Sequence, residues 1–214
     1  MPLMRSVSCN LDMYKFPKTE RGLRSRISAY RNSLKAEKRR FGFFDDGYGK
    51  RYILFWLYFV LGDLKESQTY IRWYDKNFED DIGEPVHKLC NALIHFRLRK
   101  TDKAKYLLAD LMLSNLYIIP IVIGKEIKRL QIRFGSNYAD YEYAEETPIE
   151  VQNAITDEEK GWLRGMYESI EFHRYRKRHI EIHEQLENTE GIENRSPLVR
   201  EAGELLNDLK AHCS

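Results

Sequence analysis

The sequence predicts an all-α protein: a compact bundle or short solenoid of antiparallel helical hairpins with a long C-terminal helix. Three observations carry this reading. Apolar residues recur at helical spacing through most of the 214 residues, breaks rich in glycine, proline and aspartate separate the periodic runs, and no run alternates as a strand does. The chain divides into a basic arm with an amphipathic helix (1–42), a helical domain (43–187) and a last helix packed on that domain (188–214).

The first periodic run, "TERGLRSRISAYRNSLKAEKRRFG", sets Leu23, Ile27, Tyr30, Leu34 and Phe41 on one stripe, with Arg21, Arg24, Arg31, Lys35 and Lys38 mostly off it. Gly42 follows the last apolar residue, where a helix stop belongs. "GFFDDGYGKR" is then a loop. Residues 51–62 are apolar on nearly every side, so this helix lies between neighbours. After the break "GDLKES", Leu64, Ser67, Ile71, Tyr74 and Phe78 form a second helical stripe, closing a hairpin. "DDIGEP" opens the next hairpin. Pro85 suits a first helical turn, and Val86, Leu89, Leu93 and Phe96 mark its first helix. Thr101 or Asp102 is the expected cap of the second, whose inner face is Ala104, Leu107, Leu108, Leu111 and Met112. Asp110 should face solvent, and residues 114–120 should form the turn that ends the helix.

Farther on, "IVIGKEIKRLQIRFG" can make a short helix, and "GSNYADYEYAEETPIE" another short piece between loops. Thr156 and Glu159 have capping-box spacing. They start a long helix to about residue 187, with Leu163, Met166, Tyr167 and Ile170 inward and Gly161 and Gly165 allowing close approach. After "NTEGIENRSP", a last helix spans about 198–210.

Two of these hairpins stand in register: the offset that sets Arg99 against Gly62 also sets Ala104 against Ser67. "YFVLGDLKESQTYI" and "ALIHFRLRKTDKAKYLLADLMLSN" resemble tetratricopeptide-repeat hairpins, in which a small residue early in the second helix packs on the first. Ser67 and Ala104 take that place. With "DDGYGKRYILFWLYFVLGD", "DDIGEPVHKLCNALIHFR" and "TDEEKGWLRGMYES", the chain from about residue 40 to 170 is similar to a group of mostly bacterial tetratricopeptide-like proteins. The resemblance implies a non-enzymatic module that binds a protein or peptide partner in a helical groove. No cofactor is expected.

Composition narrows the alternatives. A chain 43% hydrophobic and 32% charged can form an ordinary soluble core. Cys9, Cys90 and Cys213 are too scattered for a disulfide framework or a zinc spacing, so a reducing, cytoplasmic setting is expected. The apolar runs are too short or too interrupted to span a membrane, so no membrane partner is expected. Charge is unevenly spread: residues 1–51 carry 13 Lys or Arg against 5 Asp or Glu, whereas residues 134–159 carry 8 acids and no base. The basic part either meets an acidic or nucleic-acid partner, or is neutralised by the acidic part within the fold.

Candidate chemistry is sparse. Gly42 and Gly47 have phosphate-loop spacing, but Tyr48 stands where the lysine must be. His179 and His183 are one helical turn apart but lack the glutamate of a metalloprotease, and a solvated helix face is expected. Arg174 and His179 have a spacing that resembles the site of all-helical HEPN ribonucleases, with arginine holding phosphate and histidine moving a proton. That pair is the enzymatic, nucleic-acid-directed alternative. Glu84, Lys88, Asn91 and His95 form a polar stripe on an otherwise apolar helix; it either lines a groove or is satisfied internally. Trp56, Trp73 and Tyr74 read as core. The candidate binding residues are thus Asp46, Lys50, Arg51, Asn91 and His95 for the groove, and Arg24, Arg31 and Lys35 for the basic arm.

Overall fold

A computed structural model describes residues 16–132 and 135–212. The extreme N-terminus with Cys9, and Cys213 at the other end, lie outside the described residues. Within them the chain is entirely helical, with eleven α-helices and no strand: α1 (Glu20–Phe41), α2 (Lys50–Leu61), α3 (Leu64–Asn77), α4 (Pro85–Arg97), α5 (Thr101–Ser114), α6 (Ile118–Val122), α7 (Tyr141–Glu145), α8 (Ile149–Ala154), α9 (Asp157–Glu168), α10 (Ile170–Glu187) and α11 (Ile192–His212). No helix among these residues is long and apolar enough to cross a membrane.

Local signals explain the main boundaries. Thr19 accepts a hydrogen bond from the Gly22 amide to start α1, and Gly42, at φ 80°, ends it in the left-handed region that favours glycine. Gly62 ends α2 in the same way at φ 74°, and Asp63 caps α3 one residue later. That two-residue joint makes α2 and α3 a tight pair. Helices α3 and α5 begin at Leu64 and Thr101, the same offset that sets Ser67 and Ala104 in equivalent places, and both small residues are buried.

One apolar core runs from Phe16 to Leu209. Helix α2 lies against α1, α3, α4 and α8, while α4 lies against α2, α3 and α5. Eleven of the thirteen residues of α4 are buried, which leaves it almost no solvent face. Helix α11 closes the other side against α5 and α10.

The far end of α4 is tied by Arg97. Its guanidinium makes a two-pronged bond to Glu159 (2.8 and 3.1 Å) and donates to the carbonyls of Phe59 (3.1 Å) and Ala154 (2.8 Å). Glu159 also accepts from the Thr156 amide in the expected capping box, so one carboxylate joins α4 to the start of α9.

Several sequence expectations are corrected. The long helix of residues 156–187 breaks at Ser169, whose hydroxyl accepts from the Phe172 amide and starts α10 anew. Ile170 is therefore exposed rather than inward. Gly161 and Gly165 face open space instead of a neighbour. The expected turn at residues 114–120 contains the start of α6, because Pro120 falls in a first turn where its missing N–H is not needed. Helix α6 ends at Val122, so residues 125–132 add no helix. Lys100, not Thr101 or Asp102, is the cap position of α5. Asp110 pairs across the helix interface rather than facing solvent. Helix α11 starts six residues early and takes Pro197 into its body, losing one backbone bond but not the helix.

Arg97→Ala removes both prongs and leaves Glu159 buried without its cation, which should lower unfolding free energy by about 3–5 kcal/mol. Arg97→Lys, which lacks the fork, should recover less than half of that loss. Urea denaturation followed by circular dichroism measures both.

Candidate functional site

The predicted groove residues fall into two separate settings. Asp46, buried before α2, accepts from the amides of Lys50 (2.7 Å) and Arg51 (2.8 Å), so it satisfies the open end of α2. Lys50 reaches α1, bonding Glu37 and the Ser33 hydroxyl (3.0 Å). Arg51 bonds Asp81 (2.6 Å) and the Tyr52 hydroxyl (2.7 Å), while its carbonyl accepts from Tyr70 (2.7 Å). These three residues join α1, α2 and the loop before α4.

Asn91 and His95 are elsewhere, buried on α4. The His95 Nδ1 bonds the Asn91 carbonyl (2.9 Å), and burial, opposed by that bond, lowers its pKa. The polar stripe is thus an internal feature. At its start Glu84 accepts from the Trp56 indole (2.9 Å), the amides of Val86 and His87, and the Tyr143 hydroxyl. Lys88 pairs with Asp110 on α5 (3.1 Å) and donates to Ser114 (2.6 Å). Helix α4 therefore carries a spine of polar groups, of which Glu84 reaches α2 and α7 and Lys88 reaches α5, while His95 turns back on its own helix.

Between Glu84 and Lys88, His87 is enclosed by rings. Its centroid lies 4.3 Å from Phe55, 5.1 Å from Tyr74 and 5.3 Å from Tyr52, and neither ring nitrogen has a hydrogen-bond partner. Burial first, then the Lys88 charge, pushes its pKa down to about 3. Burial pushes that of Glu84 up to about 7, against the Trp56 indole, the Val86 and His87 amides and the Lys88 charge, which favour the carboxylate. Sequence reading named the stripe from Glu84 to His95 with internal satisfaction as one of its two readings, and took Trp56 as core, where it lies. It set Asp110 in solvent and did not single out His87 or Tyr143.

Arg174 and His179 are not brought together. They lie on different faces of α10: Arg174 is exposed over Tyr175, while His179 is buried against His183 with ring centroids 4.5 Å apart. His179 is therefore not the solvated residue expected. Burial, then His183, pushes its pKa down to about 4. Among the described residues no group of three His, Cys, Asp or Glu could hold a metal. Cys90 is buried, and burial raises its pKa, which makes it an inert thiol.

The basic-arm residues do converge. Arg24, Arg31 and Lys35 line an open groove of about 540 Å³ between α1 and α3, with Lys65, Asp63 and Glu66 on the far wall and Tyr58 in its lining. Arg24 is held by Glu20 (2.9 Å), Asp63 (3.2 Å) and Glu66 (3.2 Å), and Arg31 donates to the Tyr58 hydroxyl (3.2 Å). Lys35 and Lys65 are exposed. Among the described residues no ion pair joins residues 16–51 to residues 135–159; Glu142, Glu158 and Glu159 pair with Arg129, Arg99 and Arg97 instead.

No known protein family matches the chain, and neither a curated protein nor a solved structure is significantly similar to it.

The ionisation of α4 predicts a pH signature. His87 accepts a proton far more readily when unfolded, so its contribution is complete above about pH 6.5 and is lost as pH falls toward about 3. Glu84 acts oppositely: its contribution is complete below about pH 4.5 and is lost as pH rises through about 7. Relative to wild type, Glu84→Gln should lose stability as pH falls from 7 to 4.5, with a slope of at most about 1.4 kcal/mol per pH unit. His87→Phe should gain relative stability over the same fall. Urea midpoints across this range measure both trends.

Proposed function

We propose that the protein is a non-enzymatic interaction module, built from tetratricopeptide-like hairpins, that binds an acidic protein or peptide segment. The observation that carries the reading is the groove between α1 and α3, whose lining holds four cations (Arg24, Arg31, Lys35 and Lys65) and two carboxylates (Asp63 and Glu66). An extended acidic segment can match the excess charge there, with steering that adds mainly to the association rate. The paired α2–α3 and α4–α5 helices, with Ser67 and Ala104 in equivalent buried places, support the hairpin part of the reading. The burial of α4 argues for an outer groove, because a partner cannot reach Asn91 or His95 without displacing packed helices.

Lys35→Glu/Lys65→Glu changes the groove at two exposed positions and should leave the fold intact. With a panel of labelled glutamate-rich peptides, wild type should bind in low salt, and the double variant should weaken binding at least tenfold (about 1.4 kcal/mol). Equal binding by both proteins, or none by wild type, would remove the groove from consideration.

A further inference from the structure

We propose that the corner where α1 runs into the loop of residues 42–49 is a docking surface for single-stranded nucleic acid. Three large aromatic rings stand exposed there within eight positions: Phe41 at 44%, Phe43 at 59% and Tyr48 at 67%. Phe41 and Phe43 are neighbours, with centroids 6.0 Å apart. The last turn of α1 supplies Lys38, Arg39 and Arg40, all exposed and, among the described residues, outside every ion pair. Cations and rings interleave: Arg40 lies 5.0 Å over Phe41, and Lys38 lies 5.1 Å over the half-buried Phe44.

The carboxylates nearby do not cancel this charge. Glu37 is engaged by Lys50 and Ser33, and Asp46 by the amides of α2, which leaves Asp45 as the exposed acid of the loop. Gly42 and Gly47 face open space, so a strand can approach the backbone there. The corner also continues a basic line along α1, in which Arg21, Arg24, Arg31, Lys35 and Lys38 share one edge with Ser28. At about 1.5 Å per residue, α1 is a track roughly 33 Å long.

The composition of the corner selects the occupant. Cations in a last helical turn also complement the helix dipole, which accounts for Lys38, Arg39 and Arg40 but not for three rings left in water. An acidic peptide would use the cations and leave the rings, whereas an apolar partner would do the reverse. A single strand uses both, because its phosphates meet the cations and its bases stack on the rings irrespective of sequence. The three rings and Lys38, Arg39 and Arg40 lie outside the lining of the peptide groove, so dependence of binding on the rings separates the corner from that groove.

The test is fluorescence anisotropy with labelled 20-mers of oligo(dT) and oligo(U). Binding is expected, with log K falling against log salt at a slope of about −2 for three phosphate contacts. Phe43→Ala and Tyr48→Ala should each weaken it by about 5- to 150-fold, the range for losing one stacked base. Arg39→Glu/Arg40→Glu should flatten the salt dependence. All four side chains are exposed, so thermal melts of the variants should match wild type, and Lys35→Glu/Lys65→Glu should retain the ring dependence. No binding at tens of micromolar protein in 50 mM salt, binding indifferent to ring removal, or polyglutamate competing as well as unlabelled oligonucleotide would each overturn the proposal, the last by assigning the corner to acidic protein.

Discussion

The Glu84 carboxylate, buried at the start of α4, is where the bundle converges. It gathers the indole of Trp56 from α2, the first amides of its own helix and the hydroxyl of Tyr143 from α7. At the other end of the helix Arg97 does the same with opposite charge, meeting α2, α8 and α9. Lys88, between them, reaches α5. Helix α4 is thus fixed along its length by three polar anchors inside an otherwise apolar packing. Isolated buried charges are costly and paired ones contribute little net stability. Their physical effect here is to single out one arrangement of neighbours, since a displaced α4 would strand each of them in the core.

This constraint governs where a groove can lie. A central helix with almost no solvent face offers none, so any groove falls to the elements that cover it. Helix α1 is the obvious one. It is attached by Leu23, Ile27 and Leu34 and by the bond between Lys50 and Glu37, while the edge bearing Arg24, Lys35 and Arg39 stays in solvent. The separation between a polar-anchored interior and a cationic cover also accounts for the unbalanced charge along the chain. The acidic stretch takes up arginines from α4 and the neighbouring loops, while on the basic helix Arg24 finds its carboxylates at the start of α3 and on its own first turn.

Much of the helical order was legible because it is written locally. The stripe on α1, the glycines that end α1 and α2, the proline opening α4 and the capping box of α9 each depend on residues a few positions apart. Some of what escaped is local too, since the Ser169 hydroxyl caps an amide three residues on. Ser169 interrupts a run whose periodicity alone gives no break, and Pro120 looks like a stop unless its place within the helix is known. Asp110 sits one step off an apolar stripe, and only the approach of Lys88 turns it inward. The same holds for the site. Asn91 and His95 have the composition of a groove, and tertiary packing decides that their helix is enclosed. Arg24, Arg31 and Lys35 share an edge that sequence spacing already defines, so they alone among the candidates form a joint surface.

The short joint at Gly62 and Asp63 and the three aliphatic contacts of α1 have a further consequence for descent with change. Substitutions along the outer edge of α1 disturb neither the enclosed helix nor its anchors, so the surface chemistry of that edge can drift while foldability is retained. Replacements within α4 have no such freedom, because most of its side chains answer to a particular neighbour. Among homologues of this architecture, variation should therefore concentrate on the first helix and thin out toward the fourth.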